Sequence, residues 1–359
     1  MNGVWQSGKS RYFLILLGMG LAFIGCAKQP ISYQVATPPP CEKPAQMAAY
    51  GDFPLSDYLP LPIEVLEDKF RHDPFDILEA HATAHGSSGA MRFKVQFRDC
   101  TAVTVKWHVS PPEARAYNND PRRELAAYAI QKLFLDPKDY VVPVTVPVCV
   151  PVKDLSETGL QATPQVEGMS CVAGPASVWL KNVNAVRNFL DRERFERSVL
   201  GQEKSDYAWD FANLNIFTYL ISHRDGRKGN FLVSTLPNQS RIFSIDNGLA
   251  FGGIGNPRPD IIRWGHLKVE QLPRVTVARL RAIRAEQLQQ ILGTVAEYRI
   301  APDGRLRLVA ASENLNPEVG FRRQGNIVQI GLTAKEIAGI ERRLRKLIER
   351  VDSGDIQLF

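Results

Sequence analysis

The chain has 359 residues, of which 44% are hydrophobic, 23% charged and 9% aromatic, and these fractions exclude collagen-like, coiled-coil and wholly disordered proteins. This length predicts one two-lobed domain or two modest domains. Lysine and arginine number 44 against 38 aspartates and glutamates, and a net charge of only +6, spread along the chain, argues against a nucleic-acid partner.

The first 25 residues have the features of an export signal. Lys9 and Arg11 precede an apolar run, residues 12–25, which is too short for a membrane helix and has the length of a signal-peptide core. The run ends in Phe-Ile-Gly before Cys26, a sequence that resembles the bacterial lipobox. The resemblance implies lipidation of Cys26, attachment to the membrane through this N-terminal lipid, and a domain exported to the bacterial cell envelope, at the outer membrane. A short membrane anchor and an ordinary signal peptide are the alternatives.

Residues 26–77 are interpreted as a Pro-rich tether that holds the folded part off the membrane. Export would place the remaining four cysteines in an oxidising compartment, where disulfides form. Cys149 with Cys171 would close the shortest segment within the folded part, and Cys41 with Cys100 would tie the tether down. Free buried thiols are the alternative.

Residues 92–109 alternate apolar and polar residues twice around a polar turn at 99–101, which predicts a β-hairpin. Lys106 lies on the polar face of its second strand. Just upstream is a turn of small residues whose backbone N–H groups could approach phosphate oxygens, although it could equally be an ordinary loop. This turn consists of Gly86, Ser87, Ser88 and Gly89.

Asp120 and Pro121 predict the start of a helix that continues to residue 133, with Glu124 near its beginning. Lys106 and Glu124 have two interpretations: separate solvated charges, or an ion pair between a strand and a helix that holds the lysine on nucleotide phosphates. Farther along, residues 140–152 are rich in valine and interrupted by prolines, which predicts edge strands or an extended connection. Another strand is predicted at 176–182.

The central part of the chain predicts a helix, a polar loop and two short strands. Residues 206–222 have apolar residues at the spacing of an amphipathic helix. A polar loop, 223–230, follows, and it leads into strands at 231–233 and 242–245. The second strand ends in Asp246-Asn247-Gly248.

Two aspartates and an asparagine in this order suit metal-assisted phosphoryl transfer. Asp225 would orient the nucleophile or accept its proton, while Asn230 and Asp246 would bind a metal ion with hard oxygen atoms. Each turn alone is also ordinary hairpin chemistry. Their combination with Lys106 and Glu124 upstream favours a phosphotransferase.

The segments 225–230 and Ile245-Asp-Asn-Gly-Leu-Ala-Phe251 resemble motifs of the atypical kinase fold shared by the phosphatidylinositol 3- and 4-kinases and the bacterial HipA-type kinases. In that superfamily an Asp, four residues and an Asn form the catalytic loop, and an Asp at a strand end replaces the DFG aspartate of ordinary protein kinases. The resemblance implies an α+β, bilobal protein-kinase-like fold, with a β-rich N-lobe at 78–182 and a mainly helical C-lobe at 183–359.

The same resemblance implies ATP and Mg²⁺ (or Mn²⁺) as cofactors, with Asp225 as catalytic residue and Asn230 and Asp246 as metal ligands. Lys106 would contact the ATP phosphates, with Glu124 as its partner. The partners of the protein would be a nucleotide and a hydroxyl acceptor on a protein, lipid or glycan. Nucleotidyl transfer is a related alternative, and a non-catalytic kinase-like module of the envelope is another.

The last part of the chain carries weaker signals. An activation or substrate segment is expected at 252–257, and a helix at 270–296. The sequence from Thr333 to Glu336 has the form of a capping box and predicts a C-terminal helix. Its basic face could meet anionic lipid or simply be solvated. That face consists of Arg342, Arg343, Arg345 and Lys346.

Overall fold

The computed structural model describes residues 56–83, 89–110, 120–186, 188–226, 229–252 and 264–359, together with the backbone of a short strand at 32–34. Residues 31–359 form one compact unit. Within the described residues no helix combines the length and the apolar character needed to cross a membrane. The predicted export signal and Cys26 lie outside the described residues.

A six-stranded antiparallel sheet dominates the N-terminal half of the described chain. Its strands are β1 (Ser32–Gln34), β2 (Phe75–Ala82), β3 (Met91–Phe97), β4 (Ala102–Trp107), β5 (Thr145–Pro151) and β6 (Cys171–Val178), in the spatial order β1-β2-β3-β4-β6-β5. The predicted hairpin is confirmed as β3 and β4, whose alternate apolar residues face the core. Helix α1 (Ile63–His72) and β1 lie within the predicted tether, and the predicted boundary at residue 78 falls inside β2.

Strand β5 is an edge strand, as its prolines predicted, because proline has no N–H to donate to a second neighbour. Strand β6 begins at Cys171 and ends at Val178, so the prediction of 176–182 was displaced. Gly174 and Pro175 hide the strand signal, and Gly174 is required because a Cβ there would lie 1.9 Å from the His108 carbonyl oxygen.

A disulfide joins β5 to β6. It links Cys149 and Cys171, whose Cα atoms are 5.5 Å apart, so the predicted pairing is confirmed. Cys100 is also disulfide-bonded. Its predicted partner, Cys41, lies outside the described residues.

Helix α2 (Arg122–Gln131) packs against this sheet with nine of its ten residues buried. It begins after Pro121, one residue later than predicted, and it ends before Leu133. Asp120 still caps the helix, because its Oδ1 accepts a hydrogen bond from the Arg122 N–H at 3.3 Å. Helix α2 therefore presents Glu124 from its first turn.

The next elements surround the polar loop at 223–230. They are α3 (Val152–Glu157), β7 (Val183–Ala185), α4 (Arg192–Val199), α5 (Tyr207–Leu220), β8 (Phe231–Ser234) and β9 (Ile242–Ser244). The two predicted strands are confirmed as β8 and β9, which form an antiparallel sheet with β7. The predicted amphipathic helix is α5, but twelve of its fourteen residues are buried, so it is a core helix rather than an amphipathic one.

The C-terminal part of the described chain contains helices and two further sheets. Its elements are β10 (Gln271–Leu272), α6 (Arg274–Ala282), α7 (Ala285–Gly293), β11 (Ala296–Ile300), β12 (Leu306–Val309), β13 (Phe321–Gln324), β14 (Ile327–Ile330), α8 (Ala334–Asp352) and β15 (Gln357–Leu358). The helix predicted at 270–296 is two helices, separated at Ile283, whose backbone is extended. The capping box of Thr333 and Glu336 is confirmed at the start of α8.

Candidate active site

Lys106, Glu124 and Asp246 meet at one point, although Lys106 and Asp246 are 140 residues apart in sequence. The Lys106 Nζ atom lies 3.1 Å from Glu124 Oε1 and 3.1 Å from Asp246 Oδ1. Strand β4 carries the lysine, helix α2 the glutamate, and the end of β9 the aspartate. The structure thus brings together three of the predicted site residues.

Burial and the two carboxylates act on Lys106 in opposite directions. Burial lowers the pKa of its ammonium group, but the charges of Asp246 and Glu124 outweigh this effect and raise the pKa above its usual value. Lys106 is therefore positively charged at neutral pH. A fixed positive charge inside a protein is suited to bind an anion.

Glu124 is held against the sheet as well as against the lysine. Its side chain is buried, and its Oε2 accepts a hydrogen bond of 3.4 Å from the Ser177 hydroxyl on β6. The hydroxyls of Ser177 and Thr145 lie 2.9 Å apart, which continues the polar contacts to the edge strand β5. These contacts fix the carboxylate that faces Lys106.

A cavity of about 290 Å³ adjoins these three residues. Lys106, Glu124 and Asp246 form its polar end together with Asn247. Mostly apolar walls with a few convergent polar groups are typical of small-molecule sites. The apolar walls come from Val142, Pro143, Val178, Trp179, Leu180, Val183, Leu232 and Ile245.

Asp246 lies in a tight turn directly after β9. Its backbone is left-handed, with φ 60° and ψ 52°, a conformation that is uncommon for a residue with a side chain. The Ser244 hydroxyl donates to Asn247 Oδ1 at 2.8 Å and closes the turn. Strained backbone of this kind concentrates at functional sites, because the surrounding structure must compensate for its cost.

The polar loop brings Asn230 next to this turn. The Asn230 side-chain amide donates to the Asp225 carbonyl at 2.7 Å, and its own carbonyl accepts from the Ile245 N–H at 2.9 Å. Asp225 and Asn230 are both buried, and neither is among the described residues that line the cavity. The loop and the strand end are thus joined through backbone contacts.

His223 was predicted only as part of this loop, yet it is fully buried. Its ring centroid lies 5.2 Å from that of Phe231, and neither ring nitrogen has a hydrogen-bond partner in the described part of the chain. Burial lowers the pKa of its imidazole to about 4, so the ring is neutral at pH 7. The ring therefore supports the loop by packing.

Glu336 is a further residue that the sequence pattern did not single out. Its carboxylate at the start of α8 accepts hydrogen bonds from Arg122 Nη1 at 2.9 Å and from Arg123 Nε at 2.8 Å. The Asp120 N–H donates to the Gly248 carbonyl at 3.0 Å, which links the start of α2 to the turn after Asp246. The helix that carries Glu124 is therefore anchored on two sides.

Asn230 and Asp246 offer the hard oxygen atoms that Mg²⁺ or Mn²⁺ prefers. The described residues contain no group of three or more His, Cys, Asp or Glu side chains able to hold a metal ion. A metal ion here would need further oxygen atoms from a bound ligand, as is usual for Mg²⁺ with nucleotide phosphates. Of the predicted phosphate turn, Gly86, Ser87 and Ser88 lie outside the described residues, and Gly89 has a positive φ of 76°.

No known family profile and no curated protein matches this chain. Two solved structures are similar to it. The structure of hydra Fam20 with sugar has a TM-score of 0.53 at 13% identity, covering 86% of this chain and 94% of that one. The crystal structure of the golgi casein kinase has a TM-score of 0.47 at 13% identity, covering 81% and 74%.

These comparisons bear on the fold. The predicted α+β, kinase-like fold is confirmed, and its similarity to hydra Fam20 extends over most of both chains. Neither structure is described as a phosphatidylinositol kinase or a HipA-type kinase, so that part of the resemblance stays a prediction.

Proposed function

We propose that this protein is an ATP-dependent phosphotransferase that uses Mg²⁺ or Mn²⁺ and acts on a hydroxyl group of a protein, lipid or glycan. The observation that carries the proposal is the position of Lys106 between Glu124 and Asp246 at the polar end of the cavity. A lysine paired with a helix glutamate, close to a metal-binding aspartate, is the arrangement that kinases require before phosphate transfer. The similarity in fold to hydra Fam20 supports the proposal.

The cavity has the chemical character that ATP needs. Its apolar walls would bury the base, and the charge of Lys106 would face the phosphates at the polar end. Glu124 keeps the lysine in place from α2. Nucleotide binding therefore follows from groups that are already arranged.

Asn230 and Asp246 would hold the metal ion. When bound, the ion neutralises negative charge on the phosphates. Asp225 would orient the acceptor hydroxyl and accept its proton, and the Asn230 amide keeps the backbone of Asp225 in position. The chain thus supplies one residue for each part of the reaction.

The cost of burial favours a functional site over a scaffold. A lysine and a glutamate that leave water lose hydration free energy, and their attraction often fails to repay it. Apolar residues would stabilise a scaffold at least as well. A non-catalytic module is the alternative that the experiment below excludes or supports.

For its location, we propose that the N-terminal segment exports the chain and that a lipid on Cys26 anchors it in the bacterial envelope. The Cys149–Cys171 disulfide supports an oxidising compartment. Mass spectrometry of the mature N-terminus tests this. A diacylglyceryl cysteine at position 26, lost in Cys26→Ala, is expected, and an unmodified N-terminus at another residue would contradict the proposal.

Product analysis with ATP labelled on the γ-phosphate tests the function itself. Release of ADP with transfer of the label is expected, whereas release of pyrophosphate would indicate nucleotidyl transfer. Asp246→Ala should abolish turnover, and the matched control Asp303→Ala, at an exposed site, should not. Turnover that survives in Asp246→Ala would contradict the proposal, and no turnover with any acceptor tested, together with no ATP binding, would favour the scaffold.

A further inference from the structure

Three arginines meet beside the polar loop that carries Asp225. Arg343, on α8, donates from Nε to the Leu220 carbonyl at 2.7 Å, at the end of α5. Arg342 precedes it on the same helix, and Arg224 directly precedes Asp225. The C-terminal helix thus brings two guanidinium groups to the start of this loop.

Gly339, one turn earlier on α8, leaves space for both guanidinium groups of the helix. A Cβ at this position would lie 3.3 Å from Arg343 Nη1 and 3.9 Å from Arg342 Nη2. The two groups therefore extend over the same bare stretch of helix. Long side chains on one helix usually extend away from like charges, so this convergence needs a physical reason.

The positive charges of the three arginines are uncompensated within the described residues. Arg343 Nη2 is buried there without a hydrogen-bond partner. Burial, reinforced by the charges of Arg342 and Arg224, lowers the pKa of Arg343 to about 10. By contrast, Arg345 on the same helix lies 3.9 Å from Glu349. An anion would satisfy the open donor and relieve the repulsion.

The site lies where an acceptor substrate would approach. The Phe251 N–H donates to the Ile221 carbonyl at 2.6 Å, and the Trp264 N–H donates to the His223 carbonyl at 3.0 Å. The chain after the Asp246 turn therefore leaves from and returns to the loop that contains Arg224. An acceptor whose hydroxyl reaches Asp225 passes close to that arginine.

We infer that Arg224, Arg342 and Arg343 form a binding site for a phosphate group on the acceptor substrate. The inference rests on the proposed function. Guanidinium groups bind phosphate oxygens through paired, charge-assisted hydrogen bonds, which hold the anion in a defined orientation. Phosphate bound here would position the hydroxyl of the same molecule toward Asp225. A lipid headgroup and a soluble phosphorylated acceptor share this chemistry.

Titration of the full chain in detergent with inorganic phosphate, followed by calorimetry, tests the inference. Arg342→Gln and Arg224→Gln should each weaken binding by about tenfold or more, because each removes a charge-assisted hydrogen bond. Arg345→Gln removes the same charge from the same helix and should retain the affinity of the unmodified protein. Lys106→Ala, which alters the nucleotide cavity, should also retain it.

Several results would overturn the inference. They are the absence of phosphate binding, equal affinity in Arg342→Gln, Arg224→Gln and the unmodified protein, and loss of binding in Lys106→Ala alone. Stabilisation of the unmodified protein by ATP is measured on the same preparation and reports on the proposed function separately. Phosphate binding without any ATP effect would contradict the proposed function and leave the anion site in place.

A vesicle experiment distinguishes the two sources of phosphate. The Cys26→Ala chain, which has no acyl group at this position, is sedimented with phosphatidylcholine vesicles and with vesicles that also contain phosphatidylglycerol. Binding that requires phosphatidylglycerol and is lost in Arg342→Gln, but not in Arg345→Gln, would assign the site to a lipid headgroup. Phosphate binding without such recruitment would assign it to a soluble acceptor.

Discussion

Glu336, at the start of α8, accepts a hydrogen bond of 2.9 Å from Arg122, at the start of α2. The two residues are 214 positions apart, and Arg122 precedes Glu124 by only two positions. Arg123 contacts the same carboxylate. The last helix of the chain therefore holds the helix whose glutamate faces Lys106, and the C-terminal part takes part in the geometry of the site.

Glu336→Gln should destabilise the protein. The substitution leaves the buried charges of Arg122 and Arg123 without their carboxylate, a change that typically costs about 3–5 kcal/mol. Chemical denaturation measures the free energy of unfolding. Glu341→Gln, on the same helix and outside this network, is the matched control, and equal stability of the two variants would contradict the role of Glu336.

The contribution of Glu336 should depend on pH. Burial raises the pKa of this carboxyl, but Arg122 and Arg123 outweigh burial and lower it to about 2, from a usual value of 4.5. Because the pKa is lower in the folded protein, the stabilisation is complete above the unfolded pKa and is lost as the pH falls toward 2. The difference in unfolding free energy between the unmodified protein and Glu336→Gln should shrink between pH 6 and pH 3. A constant difference would contradict this explanation.

Lys106→Met should abolish productive nucleotide binding. It retains much of the side-chain volume and removes the charge that faces the polar end of the cavity, so ATP turnover should fall about 10²-fold or more. Lys94→Met, on the neighbouring strand β3, removes a lysine whose ion pair with Glu79 is partly exposed, and it should leave turnover unchanged. Similar turnover in both variants would show that Lys106 has no role in the reaction.

Asp225→Asn should separate binding from chemistry. The amide has nearly the same shape as the carboxylate but cannot accept the proton of the acceptor hydroxyl, so phosphate transfer should fall by about 10²–10⁴-fold. ATP should still raise the melting temperature of this variant. If Asp225→Asn transfers phosphate at the unmodified rate, another residue acts as the base.

The Cys149–Cys171 disulfide should stabilise the fold measurably. It links residues 22 positions apart, and a loop of this size predicts a contribution of about 3 kcal/mol. Denaturation of the double variant Cys149→Ala, Cys171→Ala measures it without affecting the disulfide of Cys100. Equal stability of the variant and the unmodified protein would remove the disulfide as support for an oxidising compartment.

Local patterns were sufficient to predict the elements around the site. The alternation around Lys106 identified its strand, and the turn residues around Asp225, Asn230 and Asp246 identified the loop and the strand end. Each of these signals lies within a few neighbouring residues. The contact of Glu336 with α2 had no such signal, because it joins residues more than 200 positions apart.

Helix α5 shows why burial was harder to predict than secondary structure. Its polar residues suggested a solvated face, but Asn213 and Asn215 are buried. The Asn215 side chain donates to the His266 carbonyl at 3.0 Å and accepts from the Lys268 N–H at 2.6 Å. Asn213 accepts from the Thr276 hydroxyl at 2.8 Å. Distant parts of the chain satisfy these amides, and the sequence of the helix alone contains no sign of them.

Thermal unfolding with ATP and Mg²⁺ or Mn²⁺ tests the central claim most directly. The unmodified protein, Asp246→Ala and the exposed control Asp303→Ala are compared side by side. The account predicts a metal-dependent rise in melting temperature for the unmodified protein and the control, and none for Asp246→Ala. No rise with any nucleotide, or an equal rise in all three proteins, would contradict it.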